Sequence, residues 1–121
     1  MKETPLIVEV RNLLELPQSW IRDRAAEDRF GRPCRSEDLA AVRFSLLGAI
    51  KKASIGRHGR RAAQQACIRI GEKLALRLGH DLSCVDDRSD IAIDLIAAFN
   101  RIATHASIIS LLDECIEQNQ V

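Results

Sequence analysis

Aliphatic residues recur every three to four positions along most of the chain, a spacing that is typical of amphipathic helices. The clearest stripe consists of Ala63, Cys67, Ile70, Leu74 and Leu78. Gly79 follows it and is a good residue to end a helix. The chain has only four aromatic residues, so its core must be aliphatic, which suits helix packing better than a β-sandwich. We therefore expect an all-α protein, a compact bundle of four to five helices.

Length and composition are those of one globular domain. The 121 residues are 46% apolar and 29% charged, which argues against wholesale disorder. We expect a single helical domain over residues 1–121, with residues 104–121 as a C-terminal helical extension. The N-terminus lacks the features of a signal peptide, and no run of eighteen apolar residues occurs. We therefore expect a cytoplasmic protein, without a membrane span, whose four cysteines are free thiols buried in helices.

The N-terminal half predicts two main helices joined by an irregular segment. The first helix should stop at Leu16, because a proline disfavours helical geometry in the residue before it. A short helix is expected near 19–27, then a turn at Arg29–Gly31. Ser36 is the expected N-cap of the second helix. Its stripe is Leu39, Val42, Leu46, Ala49, Ile50 and Ala53. Gly48 lies inside this helix and predicts a close approach, by another helix or by the Trp ring.

The C-terminal part predicts a loop and a long helical region. A short extended piece is expected at Leu82–Val85, and Ser89 is the expected N-cap of the region that follows. Residues 89–118 are long for one globular helix. We expect a break near Thr104–His105, with one continuous helix as the alternative.

Three blocks of the sequence resemble a known family when they are taken together. They are "SWIRDRAAEDRFGRPC", "DLAAVRFSLLGAIKKA" and "CVDDRSDIAIDLIAAFNRIA". The first contains an Ala-x-Asp-x-x-Gly-Arg-Pro pattern after a Trp, and the second an Ala-Val-Arg-aromatic-x-x-x-Gly-Ala pattern. The ensemble, over about residues 5–103, resembles a family of small bacterial and phage proteins that is catalogued as a domain of unknown function.

The resemblance implies a compact helical fold and brings no activity with it. Two positions depart from the family pattern. Ser45 stands where members often have Cys, and Asp86–Asp87 stands where they often have Asn-Asp. Any chemistry that the thiol or the amide carries in other members is therefore in doubt here.

The stretch "KKASIGRHGRR" is the strongest candidate for a binding site. Its two lysines lie at the end of the second helix, where cations complement the helix dipole. Its later cations lie at the start of the next helix, where positive charge is unfavourable. We predict that they bind an anion or a partner, and they are Arg57, His58, Arg60 and Arg61. The alternative is that the acidic loop containing Asp86, Asp87 and Asp90 neutralises them, or that the joint is simply solvated.

Nucleic-acid binding is a second hypothesis for the same region. The two helices could form a helix-turn-helix unit, and the second would point Arg61, Gln64, Gln65 and Arg69 outward. The net charge of only +1 and the absence of a nearby aromatic platform disfavour it. The charge is nevertheless uneven, since residues 1–61 hold 13 basic against 8 acidic residues and residues 62–121 hold 5 against 9.

Catalytic and metal signatures are absent from the sequence. There is no GxSxG, HExxH, phosphate-binding loop or dinucleotide pattern, so we expect no catalytic residue and no cofactor. A zinc site at His80 and Cys84 would need two more ligands, so we expect no metal. A third and weaker hypothesis is an enzyme with a site near Trp20, Ser45 and Asp87.

The last helix has more apolar positions than one buried face requires. We predict that its surplus forms a homodimer interface, made of Ile108, Leu111, Leu112 and Ile116. The alternative is that this helix is central in the bundle. The preferred function is a non-enzymatic interaction or regulatory protein of a bacterial or phage accessory type, which holds an unknown protein or anionic partner.

Overall fold

The fold is mostly helical, with one small sheet. A computed structural model describes residues 5–55, 58–82 and 86–118. In chain order it contains helix α1 (Leu6–Leu13), a 3-10 turn (Pro17–Ser19), strands β1 (Ala26–Asp28) and β2 (Ala41–Phe44), and helices α2 (Leu46–Ser54), α3 (Gly59–Arg77), α4 (Arg88–Ile102) and α5 (His105–Gln118). The helical bundle is as predicted. The two strands pair antiparallel, so the prediction of a purely α-helical chain was wrong.

Strand β2 occupies a region that was predicted to be helical. The second helix begins only after Ser45, whose hydroxyl accepts a hydrogen bond from the Gly48 amide at 3.0 Å. Leu39 is 97% exposed and Val42 is 45% exposed, so the stripe proposed from Leu39 onward does not face the core. Pairing of β2 with β1 satisfies the backbone of this stretch in place of helical hydrogen bonds.

After the 3-10 turn at Pro17–Ser19, the segment that leads to β1 is extended and not α-helical. Helix α1 ends at Leu13, with Leu14 as its C-cap, three residues before the predicted end at Leu16. No helix forms near 19–27. Instead the Ile21 amide donates to the Phe44 carbonyl at 3.0 Å, and Trp20 forms an isolated bridge with the same residue. These tertiary hydrogen bonds stabilise an extended backbone that helical spacing could not reveal.

The Asp-x-x-Gly-Arg part of the first sequence block builds the turn after β1. One oxygen of Asp28 accepts from the Phe30 amide at 2.9 Å and from the Arg32 amide at 3.0 Å. Gly31 has φ +80, a backbone conformation that favours glycine, so the predicted turn is confirmed. Hydrogen bonds from the Arg32 and Phe30 backbone amides, with the Arg32 guanidinium, lower the pKa of Asp28. The block is therefore a structural turn.

Two glycines mark close crossings in the bundle. A Cβ on Gly48 would overlap the Ala25 carbonyl, so the predicted close approach exists but is made by the backbone before β1. A Cβ on Gly71 would overlap Ala92, where α3 crosses α4. Both positions need a glycine because another chain segment occupies the space of a side chain.

The C-terminal helices follow the prediction in part. The break near Thr104–His105 is confirmed, since α4 ends at Ile102 and α5 begins at His105. Gly79 ends α3 with φ +82, as expected. The N-cap of α4 is Asp87, without a side-chain hydrogen bond, so the prediction of Ser89 was wrong. The extended piece expected at Leu82–Val85 falls mostly outside the described residues.

The core is aliphatic and joins elements from both ends of the chain. Its fully buried large side chains are Val10, Leu14, Leu46, Ile50, Ile70, Ile96, Ile108, Leu111, Leu112 and Cys115. No helix in the described part of the chain has the length and apolar character needed to cross a bilayer.

Candidate functional site

The joint between α2 and α3 is where the predicted anion or partner site lies. Of its four predicted residues, Arg57 lies outside the described residues. His58 is the N-cap residue of α3, and Arg60 and Arg61 lie in the first turn of that helix. The structure therefore places the three described residues at the helix entrance, as the sequence predicted.

His58 is held inside the fold. Its Nε2 lies 2.8 Å from Oε2 of Glu9 on α1, and its side chain is 11% exposed. This pair connects α1 to the start of α3. His58 therefore contributes less to a free cationic surface than the sequence suggested, because it has an internal carboxylate partner.

Arg60 and Arg61 are exposed and differ from His58 in their pairing. Among the residues that the structure describes, no carboxylate lies within 4.0 Å of either guanidinium. The acidic loop at Asp86, Asp87 and Asp90 makes no ion pair with them there. No contact therefore supports the alternative that this loop directly neutralises Arg60 and Arg61. Their two positive charges lie at the helix end where positive charge is unfavourable.

A cleft of about 530 Å³ opens beside Arg60, between α2, α3 and α4. We call it the α2–α3 groove. Its apolar wall consists of Leu47, Ile50, Ile55, Ala63, Cys67 and Ile93. Ile55 is 51% exposed and Ile93 is 40% exposed, so the groove presents branched aliphatic surface to solvent. Arg60, Lys51, Ser54 and Glu37 complete the lining.

The charges of the groove lining are unevenly matched. Lys51 Nζ lies 3.4 Å from Glu37 Oε2, and Arg35 approaches the other oxygen of Glu37 at 3.9 Å. The one acidic residue of the lining is thus already shared by two cations. Arg60 is left as the cation of the lining that has no carboxylate partner in the described part of the chain.

The groove has little means for nucleophilic chemistry. Cys67 is its one thiol in the described lining, and burial raises the pKa of that thiol. A protonated thiol is a poor nucleophile. Cys67 and Cys115 are buried free thiols as expected, Cys34 is a half-buried free thiol in a loop, and Cys84 lies outside the described residues.

Asn100 is a structurally central residue that the sequence reasoning did not single out. Its Oδ1 accepts from Trp20 Nε1 at 2.7 Å and from the Leu46 amide at 3.0 Å. Its Nδ2 donates to the carbonyls of Ile21 at 3.3 Å and Arg22 at 3.0 Å. Asn100 is 4% exposed. The available signal was an amide in the apolar helix face, four residues after Ile96.

The weaker enzyme hypothesis grouped Trp20, Ser45 and Asp87. Trp20 donates a hydrogen bond to Asn100. Ser45 directly precedes Leu46, whose backbone amide also donates to Asn100. Asp87 is the N-cap of α4, thirteen residues before Asn100, which is about 20 Å along the helix axis. The three residues therefore do not form one site.

The terminal helix does not present the face predicted for self-association. Ile108, Leu111 and Leu112 are fully buried in the core of the chain itself, and Ile116 is half-buried against that core. The alternative of a central helix fits the structure, because α5 packs against both α1 and α3. Three of the four side chains are therefore not available for a dimer interface.

Within residues 5–55, 58–82 and 86–118, no three His, Cys, Asp or Glu side chains are grouped so as to hold a metal ion.

The fold and the site define a small, mostly helical domain with two short antiparallel strands and a surface groove that has an apolar wall and a charged edge. The chain belongs to a family of unknown function, DUF6197, whose model matches residues 4–118. This match confirms the resemblance to a family of unknown function. No curated protein and no solved structure matches the chain.

Proposed function

We propose that this protein is a non-enzymatic interaction module that holds an acidic, amphipathic segment of a partner protein in the α2–α3 groove. The observation that supports the proposal is Arg60, an exposed cation at the edge of an apolar cleft with no carboxylate within 4.0 Å in the described part of the chain. A partner that offers aliphatic side chains and a carboxylate satisfies both features at once.

The apolar wall supplies the attraction. Ile55 and Ile93 are each about half exposed, and covering either would contribute up to about 1.5 kcal/mol, half the value for burying a whole side chain. A helix with apolar residues at three-to-four-residue spacing presents such side chains along one stripe.

The positive charge at the edge of the groove determines which partner segments can bind. Arg60 and Arg61 lie in the first turn of α3, where the backbone dipole adds positive potential. An acidic segment is favoured there and a basic one is repelled. Because both guanidiniums are exposed, their attraction to the partner should weaken as salt is added.

The test uses a synthetic helical peptide with leucines on one face and glutamates on the other, labelled for fluorescence anisotropy. We expect saturable binding that falls about ten-fold or more in Arg60→Glu/Arg61→Glu, because attraction becomes repulsion. Ile93→Asn should weaken it several-fold through the apolar wall. Arg101→Gln is the matched control, since Arg101 is an exposed arginine on α4 outside the groove lining.

The proposal fails if the peptide does not saturate the protein, or if the Arg101→Gln variant loses as much affinity as the double variant. A peptide of the same pattern with lysines in place of glutamates should bind at least ten-fold more weakly. Equal binding of the two peptides would remove the role of Arg60 and Arg61.

Nucleic-acid binding is the second candidate, and it is favoured by one observation. Arg61, Gln64 and Gln65 are all exposed in the first two turns of α3. A regulator that uses them would bind duplex DNA with an affinity that falls steeply between low and moderate salt. Arg60→Ala/Arg61→Ala should then abolish DNA binding. DNA binding of this kind, without peptide binding, would replace the first proposal.

A further inference from the structure

A second cleft, of about 410 Å³, lies at the start of α2 and shares Leu47 with the α2–α3 groove. We call it the arginine cleft, because Arg22, Arg24 and Arg101 all line it. The first two belong to the extended segment before β1, and the third lies on α4. The neighbouring residues Asp23 and Ser45 complete its polar lining together with Asn100.

Internal hydrogen bonds fix part of the wall of this cleft. Asn100 holds the backbone of Arg22, and Arg22 Nη2 donates to the Ala103 carbonyl at 2.7 Å. The Ser45 amide donates to the Ala25 carbonyl at 3.0 Å, and Gly48 leaves room for that carbonyl. Arg22 is therefore held in place before binding, which lowers the conformational entropy that is lost when a ligand arrives.

The arginine cleft is positively charged, and only some of its arginines are paired with a carboxylate. Arg24 Nη1 donates to the Gly31 carbonyl at 2.8 Å and lies 3.5 Å from Glu27, a carboxylate that also pairs with Arg43 at 3.3 Å. In the described part of the chain, Arg22 and Arg101 have no carboxylate within 4.0 Å, and Asp23 is paired with none of the three cleft arginines.

We propose that the arginine cleft binds a small phosphate monoester that carries no aromatic base. Guanidinium groups bind phosphate oxygens with paired, charge-assisted hydrogen bonds. Arg24 is already paired with Glu27, so Arg22 and Arg101 are the two arginines of the cleft whose charge remains for phosphate oxygens. None of the described lining residues is aromatic, so a nucleobase would have no stacking surface there. Asp23 and Ser45 can hydrogen-bond to hydroxyl groups, which favours a phosphorylated sugar or polyol.

The test measures binding by calorimetry with three probes: glucose 6-phosphate, inorganic phosphate and glucose. We expect glucose 6-phosphate to bind saturably, inorganic phosphate to bind more weakly, and glucose not to bind. Arg101→Gln should weaken binding of glucose 6-phosphate roughly ten-fold or more, since a charge-assisted hydrogen bond is lost. Arg101 is exposed and its side chain makes no hydrogen bond or ion pair within the described residues, so this variant should fold normally.

Arg60→Gln is the matched control, because Arg60 is also an exposed arginine and lies outside the cleft. The proposal is overturned if neither anion binds saturably, or if Arg60→Gln lowers the affinity as much as Arg101→Gln does. Equal affinity for glucose and glucose 6-phosphate would also overturn it. These outcomes are independent of peptide binding in the α2–α3 groove, so the two proposals fail separately.

Discussion

The Asn100 side chain joins α4 to residues 20–22 and to the start of α2. Its amide bonds to a side chain, a helix-start amide and two carbonyls, all at 3.3 Å or less.

Asn100→Ala would leave several of these groups without a partner in a region closed to water. We expect a loss of about 2–4 kcal/mol in the free energy of unfolding, measured by urea denaturation. Arg101→Gln, one position along, should change it by less than about 0.5 kcal/mol. A similar small change for both variants would contradict the structural role of Asn100.

Asp28, in the turn after β1, is a single residue that should make the stability of the protein depend on pH. Its folded pKa is lowered from an ordinary value of 3.8, first by the Arg32 backbone amide. A lowered pKa means that the ionised form stabilises the fold above that ordinary value, and that this stabilisation is lost as the pH falls through the folded pKa. We therefore expect the stability difference between the native chain and Asp28→Asn to be largest near neutral pH and to shrink below pH 3.8. Thermal unfolding across this range measures it, and a difference that stays constant with pH would contradict the assignment.

At the scale of elements, the crossing of α3 and α4 depends on Gly71. In a free helix, Gly→Ala is stabilising by about 1 kcal/mol. Here the added methyl would overlap Ala92, so we expect Gly71→Ala to destabilise the protein by about 1–3 kcal/mol. Gln65→Ala, at an exposed position of the same helix, should be close to neutral. Chemical denaturation distinguishes the two cases by the sign of the change, and a stabilised Gly71→Ala variant would show that the helices are further apart.

Also at this scale, the helices were more predictable than the strands. The α3 stripe, its end at Gly79 and the break before His105 follow from local spacing and backbone preference. Strands β1 and β2 are only three and four residues long, and pairing with each other and hydrogen bonds to distant residues stabilise them. The apolar residues across 39–53 have helical spacing, but part of this region forms strand β2. Only the tertiary structure reveals the pairing that stabilises the strand.

For the whole molecule, the sequence located the cationic joint but not the surfaces around it. Arg60 and Arg61 could be singled out because their charge is unfavourable at a helix start. The groove beside them could not, since its wall combines side chains from three helices. The role of α5 was misjudged for a related reason: counting apolar positions cannot tell a central helix from an interface helix. Ile108, Leu111 and Leu112 face the core on all their apolar sides.

The central claim is that the α2–α3 groove is the place where this protein meets an acidic amphipathic partner. The most direct measurement is an amide-resolved NMR titration of the full chain with the leucine–glutamate peptide. We predict that the largest shifts map to the groove, at residues 50–55, 60–67 and 93, and that residues 22–25 and 101 of the arginine cleft do not shift. Shifts centred on residues 22–24 and 101, or spread evenly over the surface, would contradict the claim.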